Sequence, residues 1–144
     1  MTIAKKLSFL FIFFIGVYLT ANEIHEFNGK HLLASYLQCD HEALVDLEKL
    51  KEVMVEAVFA SGASLLDSCE FVFPPDGLTL VMLLSESHAS IHTYPEYNAC
   101  FVDLFTCGEH CSSEAFDIAL RAYLKPEIVE KKLLLRGADL QEID

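Results

Sequence analysis

The chain has 144 residues, enough for one domain with a single core, and 53% of them are apolar, which argues against disorder. Its 22 acidic and 10 basic residues give a net charge of -12, and no lysine or arginine cluster beyond short pairs supplies the basic footprint of a nucleic-acid groove. Such a surface tolerates or attracts cations, and five irregularly spaced cysteines do not read as a disulfide framework.

At the N-terminus, Lys5-Lys6 precede an uncharged apolar stretch from Leu7 to Asn22, with Leu19-Thr20-Ala21 as an imperfect cleavage site. That is the form of a basic n-region followed by an apolar h-region, short for a membrane span of roughly 20 apolar residues. Residues 1–25 therefore read as an apolar leader, either signal-like or an upstream extension, since no internal methionine occurs before Met54. Residues 26–144 read as one domain.

Gly29 to Gln38 reads as a first strand, and Asp40 or a close neighbour caps the helix that follows. Leu44, Leu47, Leu50, Met54 and Val58 recur at helical spacing until Ser61-Gly62. Ala63 to Phe73 and Leu78 to Leu84 read as strands joined by the turn Pro74-Pro75-Asp76-Gly77. After a polar interruption, Ala99 to Thr106 alternates as another strand. Ser112 or Ser113 starts a second helix with Phe116, Ala119, Leu120 and Tyr123 on one stripe. Pro126 closes it, and Ile128 to Leu135 forms a last strand. The order strand-helix-strand-strand, then strand-strand-helix-strand, predicts an antiparallel sheet with helices on one face, an α+β two-layer sandwich.

The stretch Ser85 to Gly108 packs Glu86, Ser87, His88, Ser90, His92, Thr93, Glu96 and Cys107 between apolar strands, a density of reactive groups that core packing does not need. Taken singly, Ser and His at a strand end serve as turn residues. His88, His92, Cys107, His110 and Cys111 match no closed zinc ligand set, and a CxxC pair is absent. No GxSxG elbow surrounds Ser87, which argues against an α/β-hydrolase triad.

The runs Glu86-Ser87-His88, Ile91 to Glu96 (IHTYPE) and Phe105-Thr106-Cys107-Gly108 resemble the short prokaryotic S-adenosylmethionine decarboxylase proenzymes. The resemblance continues through Gly29 to Leu33, Cys39-Asp40, Ser61-Gly62-Ala63 and Arg136-Gly137, covering about Asn28 to Gly137. It implies a precursor that cleaves itself between Glu86 and Ser87 into residues 1–86 (beta chain) and 87–144 (alpha chain). Ser87 is then the precursor of a covalent pyruvoyl cofactor that forms a Schiff base with the substrate, and no metal is involved. It further implies that His92 transfers a proton in processing and Cys107 donates a proton in catalysis. Thr79 supports processing where many relatives carry serine in a GVSG turn, here Gly77-Leu78-Thr79-Leu80. Phe73 and Tyr94 fall where relatives place aromatics near the substrate, as rings for adenine or a sulfonium, and the Glu96 carboxylate can accept from ribose hydroxyls. Asn98-Ala99-Cys100 replaces the Gly-Tyr-Ala pattern of relatives, and Cys69 and Cys100 read as buried structural cysteines.

The implied activity is decarboxylation of S-adenosylmethionine to S-adenosylmethioninamine, the aminopropyl donor of spermidine synthesis. The implied setting is cytoplasmic and the implied assembly a homodimer of processed protomers with active sites near the interface. The leader leaves membrane contact or export open. Two other readings stand beside this one. The first is a pyruvoyl-dependent ornithine or arginine decarboxylase, since Glu86-Ser87-His88 encodes the cofactor and not the pocket. The second is an unprocessed, non-catalytic partner protein, to which the altered Leu78-Thr79-Leu80 sequence would be suited.

Overall fold

A computed structural model describes residues 27–107 and 109–143; the leader over residues 1–25 lies outside them. Among the described residues no helix is long and apolar enough to cross a membrane.

Strand β1 (Gly29–Leu37) leads into α1 (His41–Val45) and α2 (Leu47–Ala60). The periodicity predicts one helix here, and the chain makes two. Asp40 caps the first, its carboxylate accepting from the Glu42 amide at 3.2 Å. Asp46 leaves helical geometry to cap the second through the Lys49 amide at 3.2 Å. Leu44 and Leu47 keep helical spacing across the break, which is why it escapes the pattern. Ser61 ends α2, and Gly62 follows at φ +86°, a conformation open to glycine at little cost.

Strands β2 (Leu65–Phe73), β3 (Gly77–Leu84), β4 (Ser87–Tyr94) and β5 (Ala99–Thr106) come next, with a 3-10 turn (Pro95–Tyr97) before β5. Helix α3 (Ser113–Leu124), capped by Ser112, and strands β6 (Ile128–Arg136) and β7 (Leu140–Ile143) complete the chain. The strands form one antiparallel sheet in the order β2-β3-β4-β5-β1-β6-β7. The two-layer α+β architecture is the one the sequence predicts. The polar stretch before Ala99, however, is no interruption. It is strand β4, next to the middle of the sheet.

Side chains alternate across the sheet. Leu78, Leu80, Met82, Ala89, Ile91, Val102 and Leu104 point to one face and are buried against Leu50, Met54, Val58, Phe116 and Leu120 of the helices. Each of the larger side chains contributes about 1.5–3 kcal/mol by leaving water. Buried Asp117 ties α3 to the sheet, accepting from the Tyr36 hydroxyl at 2.6 Å and from Lys131 at 2.7 Å, with the Arg121 guanidinium 3.1 Å away.

Among the described residues no helix lies on the other face. Val81, Leu83 and Phe101 stand exposed on it, between His88, Ser90, His92 and Asp103. Edge strand β2 is exposed along nearly its whole length, so Cys69, expected inside, lies in solvent; Cys100 is buried as expected.

Candidate active site

Strands β3 and β4 are joined by a two-residue hairpin. Leu84 pairs with Ser87, leaving Ser85 and Glu86 as the turn. Such short hairpins favour residues with positive φ in the turn itself. Neither Ser85 nor Glu86 adopts one; Ser87 does, at φ +146°, an unusual state for a residue with a Cβ. The peptide between Glu86 and Ser87 thus sits at the tightest point of the sheet, next to a backbone held in a strained state, which costs on the order of 1–3 kcal/mol.

The surroundings of this peptide are fixed by backbone contacts. The Glu86 carbonyl oxygen accepts from the Cys107 amide at 2.9 Å, because β5 ends beside the start of β4. The Glu86 carboxylate accepts from the Ser64 amide at 2.9 Å, and the Ser85 amide donates to the Ser64 carbonyl at 2.9 Å. The Ser112 amide reaches the Ser61 carbonyl at 2.8 Å, so the segment after Cys107 is pinned to the end of α2. The Cys107 side chain is exposed at this corner. Cys111 is buried, its thiol pushed up by burial and then by the nearby Glu86 carboxylate.

The remaining predicted residues gather at the opposite end of the hairpin. Thr79 lies within β3, in register with His92, and its hydroxyl hydrogen-bonds the His92 Nδ1. The sequence Gly77 to Leu80 is therefore strand, not turn, and Leu80 fills the helix-side core. Phe73 and Tyr94 flank the His92 ring at centroid distances of 5.7 and 4.6 Å. Phe101 and Tyr97 extend the aromatic group at 5.5 and 6.5 Å from Tyr94. Glu96 lies exposed in the 3-10 turn just beyond. Asn98 adopts φ +48°, a left-handed state that asparagine tolerates. Its carbonyl accepts from the Cys39 amide at 2.8 Å, beside the hydrogen-bonded, buried thiols of Cys39 and Cys100.

One protomer therefore brings Glu86, Ser87 and Cys107 together at one end of β4, and Thr79, His92, Phe73 and Tyr94 at the other. It does not join the two groups. His92 lies five positions along the strand from Ser87, about 16 Å at roughly 3.3 Å per residue.

Composition alone does not point to a further cluster on the open face, near Ser87. The Ser87 hydroxyl lies 3.2 Å from the His88 Nδ1. The His88 ring meets the rings of His31 at 6.3 Å and Phe105 at 5.7 Å. His31 stands 3.6 Å from the Asp103 carboxylate and 3.4 Å from Arg136, whose guanidinium covers Phe105 at 4.4 Å. Burial holds the His31 imidazole below its ordinary value, against the pull of Asp103. The signal for this group was the alternation of β4 and β5, legible only once they are read as paired strands. Among the described residues no three His, Cys, Asp or Glu side chains converge as a metal site.

Residues 30–137 match the family model for S-adenosylmethionine decarboxylase. The S-adenosylmethionine decarboxylase proenzyme of Methanococcus vannielii is 40% identical over 116 residues, which is 80% of this chain and 95% of that protein. The corresponding proenzyme of Thermosipho africanus is 39% identical over 76% of this chain and 84% of its own length. The crystal structure of the adenosylmethionine decarboxylase of Aquifex aeolicus superposes with a TM-score of 0.72 at 30% identity, covering 83% of this chain and 98% of that one.

Proposed function

The chain belongs to the S-adenosylmethionine decarboxylase family, and we propose that it makes its own cofactor by cutting the backbone between Glu86 and Ser87. The reaction this serves is loss of carbon dioxide from S-adenosylmethionine, a carboxy-lyase step. Its product, S-adenosylmethioninamine, is the aminopropyl donor of spermidine synthesis.

The observation that carries the self-cleavage is the state of the Glu86–Ser87 peptide. The Ser87 hydroxyl attacks the Glu86 carbonyl carbon, and the oxygen that gains charge already faces the Cys107 amide at 2.9 Å. A donor placed in advance on a developing oxyanion is the largest single aid to acyl transfer. Breaking the peptide also releases the backbone strain at Ser87. The Ser64 amide on the Glu86 carboxylate keeps the new C-terminus in place after the cut. The acyl group thus passes from nitrogen to oxygen. Removal of the Ser87 α-proton then expels the Glu86 carboxylate by β-elimination, and water hydrolyses the resulting dehydroalanine, through its imine and with loss of ammonia, to leave residues 1–86 and a chain that begins with a pyruvoyl group. These residues fit that cofactor, since a serine, a held carbonyl and a base are all its formation needs. When present, the pyruvoyl group takes up the electrons released as carbon dioxide leaves.

The α-proton needs a base, and His92, which hydrogen-bonds Thr79, is about 16 Å away in the same chain. A second copy resolves this. With the open faces of two sheets stacked about a two-fold axis near the middle of β4, the Ser87 end of one strand lies over the His92 end of the other. The exposed Val81, Leu83 and Phe101 are then covered, as an isologous interface requires. Each site takes Ser87 and the Cys107 thiol from one protomer, and His92, Thr79, Phe73, Tyr94 and Glu96 from the other. Cys107 returns a proton to the substrate α-carbon, the aromatic pair holds adenine or the sulfonium, and Glu96 accepts from the ribose.

The test has two parts. Intact mass measurement should give two fragments for the wild type, the second blocked by pyruvoyl, and one whole chain for Ser87→Ala. Release of labelled carbon dioxide should follow from S-adenosylmethionine and not from ornithine or arginine. An uncut wild-type chain, or release from another substrate alone, would refute the reading.

A further inference from the structure

We propose that the imidazole of His88 is the base that takes the hydroxyl proton of Ser87 in the first step of self-cleavage, acting within its own chain. This rests on the self-cleavage reading above and adds a residue to it. The Ser87 Oγ and His88 Nδ1 are 3.2 Å apart, within the reach of a general base. Neighbours in a regular strand point to opposite faces, so a serine and the residue after it do not ordinarily meet. The φ of +146° at Ser87 breaks that alternation at the scissile residue and turns the hydroxyl toward the next side chain.

His88 is also held in place. Its ring lies at 83° to that of His31 and beside Phe105, both on neighbouring or near strands of the open face. The charged groups nearest this stack are Asp103 and Arg136, which both contact His31. Burial holds the His31 imidazole below its ordinary value.

The step balances without an outside reagent. The hydroxyl proton moves from Oγ to the His88 Nδ1 as the bond from Oγ to the Glu86 carbonyl carbon forms, and the oxyanion is held by the Cys107 amide. The carbon–nitrogen bond then breaks, and the Nδ1 proton passes to the Ser87 nitrogen, leaving an ester and a neutral imidazole. His88 serves the acyl shift in its own chain, and His92 of a second copy serves the β-elimination. Two proton transfers have two histidines.

The experiment follows cleavage of freshly purified full-length precursors by intact mass, with and without hydroxylamine, which cuts an ester but not a peptide. His88→Ala is expected to slow cleavage at least ~100-fold, the lower bound for loss of a positioned base. It should resist hydroxylamine because it halts before the ester, and added imidazole should restore part of the rate. His92→Ala, halted after the shift, should be cut by hydroxylamine. The double variant Ser87→Cys with His88→Ala guards against simple misfolding, because a thiolate attacks without a base and hydroxylamine should cut it. Cleavage of His88→Ala at the wild-type rate, its full cutting by hydroxylamine, or a double variant that stays whole would overturn the proposal. An uncut wild type would instead remove the self-cleavage reading, and this inference with it.

Discussion

The two faces of the sheet are built from the same strands, residue by alternate residue, and they follow opposite rules. On the helix side Leu80, Met82, Ala89, Ile91 and Leu104 are at most 2% exposed. On the open side Val81, Leu83 and Phe101 are 38%, 53% and 47% exposed and stand among histidines, a serine and a carboxylate. The first face supplies stability. The second holds polar groups that a core would exclude, beside apolar ones that water does not favour, which is the composition of a surface completed by another molecule.

The sharpest way to break this contrast is a charge on the open face. Leu83→Asp and Val81→Asp should leave the circular dichroism spectrum native, shift the protein to monomer in analytical ultracentrifugation, and abolish completion of cleavage. A charged variant that is monomeric yet fully cleaved would end the idea that His92 acts from a second copy. The covered face predicts the reverse pattern. Ile91→Ala should lower unfolding stability by about 2–5 kcal/mol, read from denaturant titration of the uncleaved Ser87→Ala background. A loss as small as that of an exposed residue would put Ile91 outside the core.

A smaller effect belongs to the polar anchor under α3. Burial, then the hydrogen bond to Asp117, pushes the Tyr36 phenol far above its ordinary value of about 10. Lys131 is raised as well, chiefly by its hydrogen bond to the same carboxylate. Groups raised by folding add stability that is intact below their ordinary values and is lost as pH rises through the folded ones. The protein should therefore weaken from about pH 10 upward. Tyr36→Phe should cost about 1–3 kcal/mol at neutral pH, by leaving Asp117 short of a donor, and should flatten the alkaline decline. An unchanged alkaline slope would show that Tyr36 does not carry it.

Periodicity and turn signals reveal β1, β2, β3, β5, β6 and both long helices. Strand β4 was hidden because its open face carries His88, Ser90, His92 and Tyr94, and these drown the alternation of Ala89, Ile91 and Thr93. Strand β7 is only four residues long and half polar. Cys69 was misplaced because nothing local marks β2 as an edge. The candidate site residues came from a resemblance in short motifs, which does not reveal their division between two ends of one hairpin. That division depends on register, which pairs Ser87 with Leu84 and His92 with Thr79. The contact of His88 with Ser87 likewise depends on one backbone angle.

The measurement that tests the shared site most directly is co-expression of two chains that each fail alone, one carrying Ser87→Ala and the other His92→Ala. In a mixed dimer, one site combines the intact Ser87 of the His92→Ala chain with the intact His92 of the Ser87→Ala chain. The account predicts that the His92→Ala chain is then cut to a pyruvoyl-blocked fragment while the Ser87→Ala chain stays whole. If the His92→Ala chain remains uncut in purified mixed dimers, His92 acts within its own chain and the division of the site between two protomers is wrong.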